Sequence, residues 1–226
     1  LLVVSGLSFR YRLFGAEEFM WLLGAVAVVA LAALLIGLKG FADVWRQGRD
    51  GARPLALAGI LLAFAVTPFA SFAIGFIRAP TLSDVATDPA DPPVFQGEAA
   101  PLHPEQLEDA PAIVAAFPEL GGRSYRAAPE QVVDAVETLM RSRGWDPIAR
   151  FGRPDDGGVQ VEGVATTLLL RFEMDVAARI ADDGDSTFVD VRSASRFGRH
   201  DMGANAELIR RFLADLDAEM LARLGT

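Results

Sequence analysis

The sequence predicts an α+β protein: an N-terminal two-helix transmembrane hairpin, followed by a soluble domain in which helices cover one face of an antiparallel sheet. Two long uncharged apolar runs predict the hairpin, and the order helix, strands, helix predicts the α+β domain. The charges divide the chain in the same way. Residues 1–79 hold seven Lys and Arg against four Asp and Glu, whereas residues 80–226 hold fourteen against twenty-six.

The two apolar runs have the length of membrane-spanning helices. Residues 19–38 and 55–77 carry no charged side chain, and about 20 apolar residues allow an α-helix to cross the hydrocarbon core of a bilayer. Pro68 in the second run is compatible with a membrane helix, because neighbouring groups can bond the carbonyl that proline frees. Residues 1–78 are therefore predicted to form a two-span anchor.

Basic residues favour one orientation of this anchor. The loop between the runs carries four of them and the outer flanks carry three, namely Lys39, Arg46, Arg49 and Arg53 in the loop and Arg10, Arg12 and Arg78 outside it. Loops rich in Lys and Arg stay in the cytoplasm. We therefore expect the soluble domain to lie on the periplasmic side of a bacterial inner membrane.

A proline-rich segment and then regular elements follow the anchor. Five prolines in residues 79–101 predict an extended linker without regular structure, and residues 102–226 are predicted to form the soluble α+β domain. Helical periodicity predicts helices over residues 129–143 and 206–224, with Gly144 ending the first. Alternating apolar residues predict five strands, over residues 148–151, 159–164, 167–172, 176–180 and 187–193.

Charge and composition argue against several kinds of site. The soluble part is acidic, whereas nucleic acid binding requires a basic face. The chain has no cysteine and only two histidines, which argues against thiolate and histidine-rich metal centres. No phosphate-binding glycine motif and no calcium loop are present in the sequence. We therefore expect no cofactor, no metal and no nucleic acid partner.

The stretch VDVRSASRFGRHDMGAN, residues 189–205, offers three interpretations. Because it precedes a predicted helix with free N–H groups, it could be an anion- or partner-binding site formed by Arg192, Arg196, Arg199, His200 and Asn205. It could instead be a structural framework, held by Asp190, Ser193, Ser195, Gly198, Asp201 and Gly203. A Ser–His–Asp hydrolase is the third interpretation; no G-x-S-x-G elbow supports it, and His200 and Asp201 are adjacent.

Strand alternation favours the structural framework. It places Val189 and Val191 toward the core and Arg192 on the opposite face. On that polar face we expect a ladder of opposite charges across neighbouring strands, formed by Arg171, Arg179 and Arg192 with Glu173, Asp175 and Asp190. Either Asn205 or Asp201 is expected to cap the helix that follows.

Several stretches resemble one known family. The sequences DPADPPVF (88–95), GW (144–145), VDVRSASRFGRHDMGAN (189–205) and LIRRFL (208–213) are similar to the DUF1499 family, a domain of unknown function, over about residues 85–224. The stretch FEMDVAARI (172–180) departs from the family pattern of two adjacent acids, because Met174 leaves Asp175 alone. The resemblance implies a membrane-anchored bacterial member and implies no established reaction.

The expected function is that of a non-catalytic accessory or assembly subunit of a larger membrane complex. A short anchor, a tethered domain and the lack of a convincing active site motivate this hypothesis. The expected partners are the lipid bilayer and other integral membrane subunits. The alternative is a periplasmic carrier for a lipid, another apolar ligand or an anion, with a cavity lined by residues such as Leu168, Leu170, Phe172 and Phe212. A hydrolase is the third possibility.

Overall fold

The computed structural model describes residues 8, 11, 13, 15–47, 52–97, 110–146, 148–153, 158–167, 171–198 and 200–224. The chain divides into two compact units, Leu1–Ala79 and Pro80–Thr226. The first unit is helical, and the second contains both helices and strands.

Two long helices form the first unit. α1 spans Ala16–Gln47 and α2 spans Ala52–Arg78. They pack closely, since a Cβ atom on Gly37 would lie 3.9 Å from Leu62 Cδ2. Among the described residues, one segment, Glu17–Arg46 of α1, is long and apolar enough to cross a membrane. The predicted two-span hairpin is thus supported for its first span alone. The second apolar run is helical, but many of its side chains lie outside the described part.

The second unit is an α+β domain, as the sequence predicts. Its elements are, in order, β1 (Asp84–Ala86), α3 (Ala110–Ala116), β2 (Arg123–Tyr125), α4 (Pro129–Ser142), β3 (Ala149–Arg153), β4 (Gly158–Thr166), β5 (Glu173–Asp182), β6 (Thr187–Ser195) and α5 (Ala204–Leu224). The strands form one antiparallel sheet in the order β1-β6-β5-β4-β3, and β2 also pairs with β6. Gly144 follows α4 with a φ of +68°, which is the left-handed conformation that commonly ends a helix.

The apolar face of the sheet packs against α4 and α5. In register across the three central strands lie Val161, Ala178 and Val191, all fully buried. Helix residues that fill this layer include Val132, Val136, Met140, Ile209, Phe212, Leu213 and Leu216. Phe212 of α5 stacks on Trp145, with ring centroids 5.3 Å apart. This layer is the main hydrophobic core, and its burial is the chief favourable contribution to folding.

The opposite face of the sheet is polar, and it is also buried. Its side chains include Gln160 and Glu162 of β4, Asp175 of β5 and Asp190 and Arg192 of β6. Residues 88–97, which we name the strap, cross this face and are bonded to its side chains. The three central strands are therefore buried on both sides.

The prediction of an extended linker without regular structure over residues 79–101 was wrong at β1, and residues 88–97 lack regular structure but are bound to the sheet. Residues 82–87 are buried, and β1 pairs with β6 from Asp84↔Ala194 to Ala86↔Arg192. Prolines are compatible with the position of the strap. Side chains of the sheet donate to carbonyls of the strap, so the strap needs few N–H donors of its own. Residues 98–101 lie outside the described residues.

The strand predicted over residues 167–172 is corrected at residues 167, 171 and 172, and residues 168–170 lie outside the described residues. β4 ends at Thr166, and the chain reverses before β5 begins at Glu173. Thr167 N–H donates to Phe172 O (3.0 Å), and Phe172 N–H donates to Thr167 Oγ1 (3.0 Å), which closes the reversal. Arg171 has a φ of +57° and lies in this turn, so it does not join the predicted ladder.

Candidate functional site

The stretch of residues 189–205 joins the first and last elements of the second unit. It begins at the third residue of β6, passes the end of the sheet and continues into α5. Ser195 N–H donates to Ser83 O (2.7 Å), and Asp201 N–H donates to Leu82 O (3.1 Å). The stretch is therefore attached to the segment that leads into β1, more than 100 residues earlier in the chain.

Arg192 lies at the centre of the polar face and is only 2% exposed. Its Nε and Nη2 atoms donate to Asp84 Oδ1 and Oδ2 at 3.0 and 2.7 Å, and Nη1 donates to Pro93 O at 2.9 Å. The guanidinium also lies 4.6 Å from the ring centroid of Phe95. A buried cation needs such compensation, and here a carboxylate, a carbonyl and an aromatic face of the same chain provide it.

A second ion pair lies beside the first. Arg179 Nη2 donates to Asp190 Oδ2 (2.9 Å), its register partner on β6, and Arg179 Nη1 donates to Asp91 Oδ2 (2.9 Å) in the strap. Thr87 Oγ1 donates to Asp190 Oδ1 (3.0 Å). Arg179 and Asp190 thus form one opposite-charge pair of the predicted ladder across neighbouring strands.

Side chains of the sheet hold the strap by its main chain. Carbonyls of the strap accept bonds from three of these side chains, and N–H groups of the strap donate to a carboxylate. The contacts are Arg179 to Asp91 O (2.9 Å), Arg192 to Pro93 O (2.9 Å), Gln160 to Val94 O (2.7 Å), and Gln96 N and Gly97 N to Glu162 (2.6 and 3.1 Å). The strap is thus a cover of the polar face and not a spacer.

Arg196 closes the end of β6. Its Nε and Nη2 atoms donate to Asp175, at 2.9 and 2.7 Å, and Nη1 donates to Glu173 Oε2 at 3.0 Å. The hydrogen bond to Asp175 raises the pKa of Arg196, although partial burial opposes the shift. Asp175 is buried, so this pair fixes the first residues of β5 to the end of β6.

Asn205 is the centre of a buried polar network under the end of the sheet, and none of its surface is exposed. Ser193 Oγ donates to Asn205 Oδ1 at 2.6 Å. The Asn205 amide nitrogen lies 3.0 Å from Ser83 O, 2.8 Å from Ser195 Oγ and 2.7 Å from Asp201 Oδ2. The amide therefore connects β6, the segment before β1 and the start of α5.

Asp201 caps α5. Its carboxylate oxygens accept from Gly203 N–H and from Asn205 N–H, both at 2.7 Å, which satisfies N–H groups that a helix start leaves free. Burial raises the pKa of Asp201, although these hydrogen bonds oppose the shift. The sequence left the cap open between Asn205 and Asp201, and the structure assigns it to Asp201. Gly203, with a φ of +81°, lets the chain turn from this cap into the helix.

The residues predicted as an anion or partner site are held apart. Arg192 and Arg196 direct their guanidinium groups at carboxylates of their own chain, and the Asn205 amide lies inside the network. Arg199 lies outside the described residues. Of the residues predicted as structural, Asp190, Ser193, Ser195, Asp201 and Gly203 take part in the contacts above, and Gly198 has a φ of +79° at the turn that follows β6.

The side chains named for a hydrolase are used in other contacts. Ser193 and Ser195 both bond the Asn205 amide, and Asp201 caps α5. His200 Nδ1 accepts a bond from Met202 N–H at 3.1 Å. To act as a general base, His200 would have to direct the lone pair of Nδ1 or of Nε2 at a serine hydroxyl. The observed contacts instead make these side chains parts of a turn and a helix cap.

The interior where a carrier would hold its ligand is filled by side chains where the structure describes it. Phe212 is fully buried against Trp145. A Cβ atom on Gly163 would lie 3.5 Å from Trp145 Cβ and 3.6 Å from Met140 Sδ. Leu168 and Leu170, also named as lining residues, lie outside the described part. Within that part, no group of three or more Asp, Glu or His side chains is arranged to hold a metal ion.

Sequence reasoning missed three partners, two from residues 84–97 and one from β4. Asp84, Phe95 and Glu162 were not identified as site residues, although all three bind the polar face or the strap. The stretch DPADPPVF was a usable signal, since Asp and Phe beside a run of prolines could have indicated a docked segment. The position of Asp84 in a three-residue strand gave no periodicity from which to recognise it.

Comparisons with known proteins agree with the family resemblance. A family model described as "Protein of unknown function (DUF1499)" matches residues 84–216. No curated protein and no solved structure gives a significant match. The matched range begins at β1 and ends within α5, so it includes the strap, the buried ion pairs of the polar face and the cap of α5.

Proposed function

The chain belongs to the DUF1499 family, and from that premise we propose that it is a membrane-anchored, non-catalytic module that serves as an accessory or assembly subunit of a larger membrane complex. One observation carries the proposal. The polar side chains of the stretch 189–205 bond each other, the strap and α5, so they build a rigid framework in place of an open site. A rigid domain on a membrane anchor is suited to holding partners in position.

The anchor supports the membrane part of the proposal. α1 contains a segment that can cross a bilayer by length and composition. We propose α2 as a second span, because residues 55–77 carry no charge and lie within one helix of 27 residues. Two spans, with the basic loop between them in the cytoplasm, put the second unit in the periplasm. Alkaline phosphatase fused after Thr226 should then be active in a bacterial host, and an inactive fusion would contradict this orientation.

Purification from membranes in a mild detergent tests the subunit role. The full chain with a C-terminal tag is expected to elute as a complex larger than its own mass of 24.2 kDa plus detergent, with stoichiometric partners identified by mass spectrometry. A matched chain that ends at Ala79 distinguishes partners bound by the anchor from partners bound by the second unit. A monomeric full chain that purifies alone at native expression level would contradict the proposal.

A further inference from the structure

One end of the sheet lies next to the anchor along the chain. β1 and β5 begin at this end, and β4 and β6 finish there. Ser195 N–H bonds Ser83 O (2.7 Å) and Arg196 N–H bonds Glu173 O (3.0 Å), so the end is fixed by main-chain contacts. Only residues 79–82 separate Ser83 from the last residue of α2, and five Cα-to-Cα steps span at most about 18 Å. We name it the tethered end.

Two phenylalanines project beyond the tethered end. Phe172 precedes β5 and Phe197 follows β6 by two residues; their rings stack with centroids 6.1 Å apart and an angle of 9° between planes. Phe197 is 40% exposed and Phe172 is half-buried. The Phe172 main chain is held by the bonds to Thr167 described above. We name these two rings the aromatic pair. It is apolar and partly exposed.

The charges around the aromatic pair differ from those of the rest of the second unit. That unit carries fourteen basic against twenty-six acidic residues, which would repel an anionic membrane surface. At the tethered end, Glu173 and Asp175 are both paired with Arg196, and Arg171 beside Phe172 is exposed. These four charges cancel. Asp201, whose N–H bonds Leu82 O, adds one carboxylate at this end. The described side chains of the tethered end therefore carry less net negative charge than the second unit as a whole, which favours the approach of this end to phospholipid headgroups.

We propose that the aromatic pair contacts the headgroup region of the bilayer that anchors the chain, with Arg171 beside it facing lipid phosphates. The inference rests on the proposed anchoring by α1 and α2. A tether of at most about 18 Å joins the end of α2 to Ser83, and Ser83 O bonds Ser195 N–H, two residues before Phe197, so the aromatic pair is within reach of the headgroup layer where α2 ends. Aromatic rings with a neighbouring Arg favour that interface. In this proposal the stretch 189–205 also sets the position of Phe197, and thereby the orientation of the domain on the membrane.

Single-cysteine reporters test this contact in the full chain, which has no native cysteine. Phe197→Cys carries an environment-sensitive fluorophore at the tethered end. Asp185→Cys is the matched control, because it is exposed in the β5–β6 turn at the opposite end of strands about 30 Å long. Both proteins are placed in nanodiscs of phosphatidylcholine and phosphatidylglycerol, with and without lipids that carry a spin label near the headgroup. Arg171→Cys provides a second reporter if Phe197→Cys does not fold.

The expected result is a blue-shifted emission at position 197 and a quenching by spin-labelled lipid several-fold greater than at position 185. Equal and weak quenching at both positions, in protein that is incorporated into nanodiscs, would overturn the membrane contact while leaving the anchor intact. Shielding at position 197 without quenching by lipid would also overturn it and would indicate a protein surface there. Release of the full chain from membranes by alkaline carbonate would overturn the anchor itself and this contact with it.

Discussion

The two faces of the sheet are both buried, but different chemistry holds each one. The face toward α4 and α5 is packed with aliphatic and aromatic side chains from residues far apart in sequence. The face under the strap carries Asp84, Glu162, Asp190 and Arg192, all less than a tenth exposed. The first face gains stability from the removal of apolar area from water. The second depends on each charge finding its partner, because an unpaired buried charge costs several kcal/mol.

This difference explains why the stretch 189–205 is rich in charged and polar residues. Alternate residues of β6 serve alternate faces, so Val189 and Val191 enter the apolar layer while Asp190 and Arg192 enter the polar layer. Where β6 ends, Arg196, Asn205 and Asp201 fix the turn into α5. The stretch therefore combines apolar residues for one face of the sheet, charged residues for the other face and polar residues for the start of α5.

The largest loss of stability is expected when β1 and the strap are removed. This change exposes the polar face of the sheet but leaves the residues of the apolar face in the chain. A chain of residues 102–226 lacks Asp84 and the strap. Arg192 would lose Asp84, Pro93 O and the Phe95 ring, and Glu162 would keep its bond from Gln160 but lose those from Gln96 and Gly97. A broken buried pair costs about 3–5 kcal/mol. Total stabilities are about 5–15 kcal/mol. We expect residues 80–226 to fold cooperatively and residues 102–226 to lack a cooperative thermal transition by circular dichroism. Equal melting temperatures for the two chains would show that the strap is only a linker.

The two long helices of the second unit and the strands β3 to β6 were predictable because each has a periodic apolar pattern, whereas α3, β1 and β2 were not predicted. α4 and α5 lie within two residues of the predicted helices, and β4, β5 and β6 contain the predicted strands. Residues 167–172 have the apolar composition of a strand because they include three consecutive leucines. The chain must nevertheless reverse between the end of β4 and the start of β5. Local pattern does not reveal such a reversal when no glycine or proline marks it.

The polar face was predictable only in part. Of the predicted ladder, the pair of Arg179 with Asp190 forms. Arg192 instead pairs with Asp84, and Glu173 and Asp175 pair with Arg196. The partner of Arg192 was missed because it comes from β1, a strand of three residues between prolines, 108 residues earlier in the chain. Proline-rich composition predicts a solvated linker when the segment has nothing to bind. Here side chains of the sheet bind its carbonyls, and that contact is a property of the fold.

Loss of the helix cap should have a smaller effect than loss of the strap. Asp201→Ala leaves Gly203 N–H and Asn205 N–H without their acceptor, which should lower the free energy of unfolding by about 1–2 kcal/mol. Urea denaturation of residues 80–226 measures it. Glu207→Ala is the matched control in the first turn of α5, because Glu207 makes only surface pairs with Arg210 and Arg211 and should cost less than about 1 kcal/mol. Equal losses of stability from the two substitutions would show that Asp201 does not cap α5.

The smallest expected effect is a loss of stability at alkaline pH, caused by Tyr125 in the hydrophobic core. Burial raises the pKa of Tyr125, and its hydrogen bond to Asp217 (2.7 Å) raises it further. A phenol with a folded pKa above its unfolded value of about 10 contributes stability that is present below pH 10 and is lost as the pH rises beyond it. Stability of the second unit should therefore fall above about pH 10. The fall should be weaker in Tyr125→Phe, which itself costs about 1 kcal/mol at neutral pH.

Tyr125 is the only tyrosine in residues 80–226, so phenolate absorbance reports its ionisation directly in that chain. Ionisation near pH 10 without unfolding would contradict the raised pKa and the contact with Asp217.

The central claim is that Arg192 serves the fold by pairing with Asp84, and a double-mutant cycle on residues 80–226 tests it most directly. Arg192→Met and Asp84→Leu should each lower the free energy of unfolding by about 3–5 kcal/mol, because each leaves one buried charge unpaired. The double variant removes both charges, so its loss should be smaller than the sum of the two by several kcal/mol, without any added ligand. Additive losses, or single variants as stable as the natural chain, would contradict the account and would make Arg192 a recognition residue.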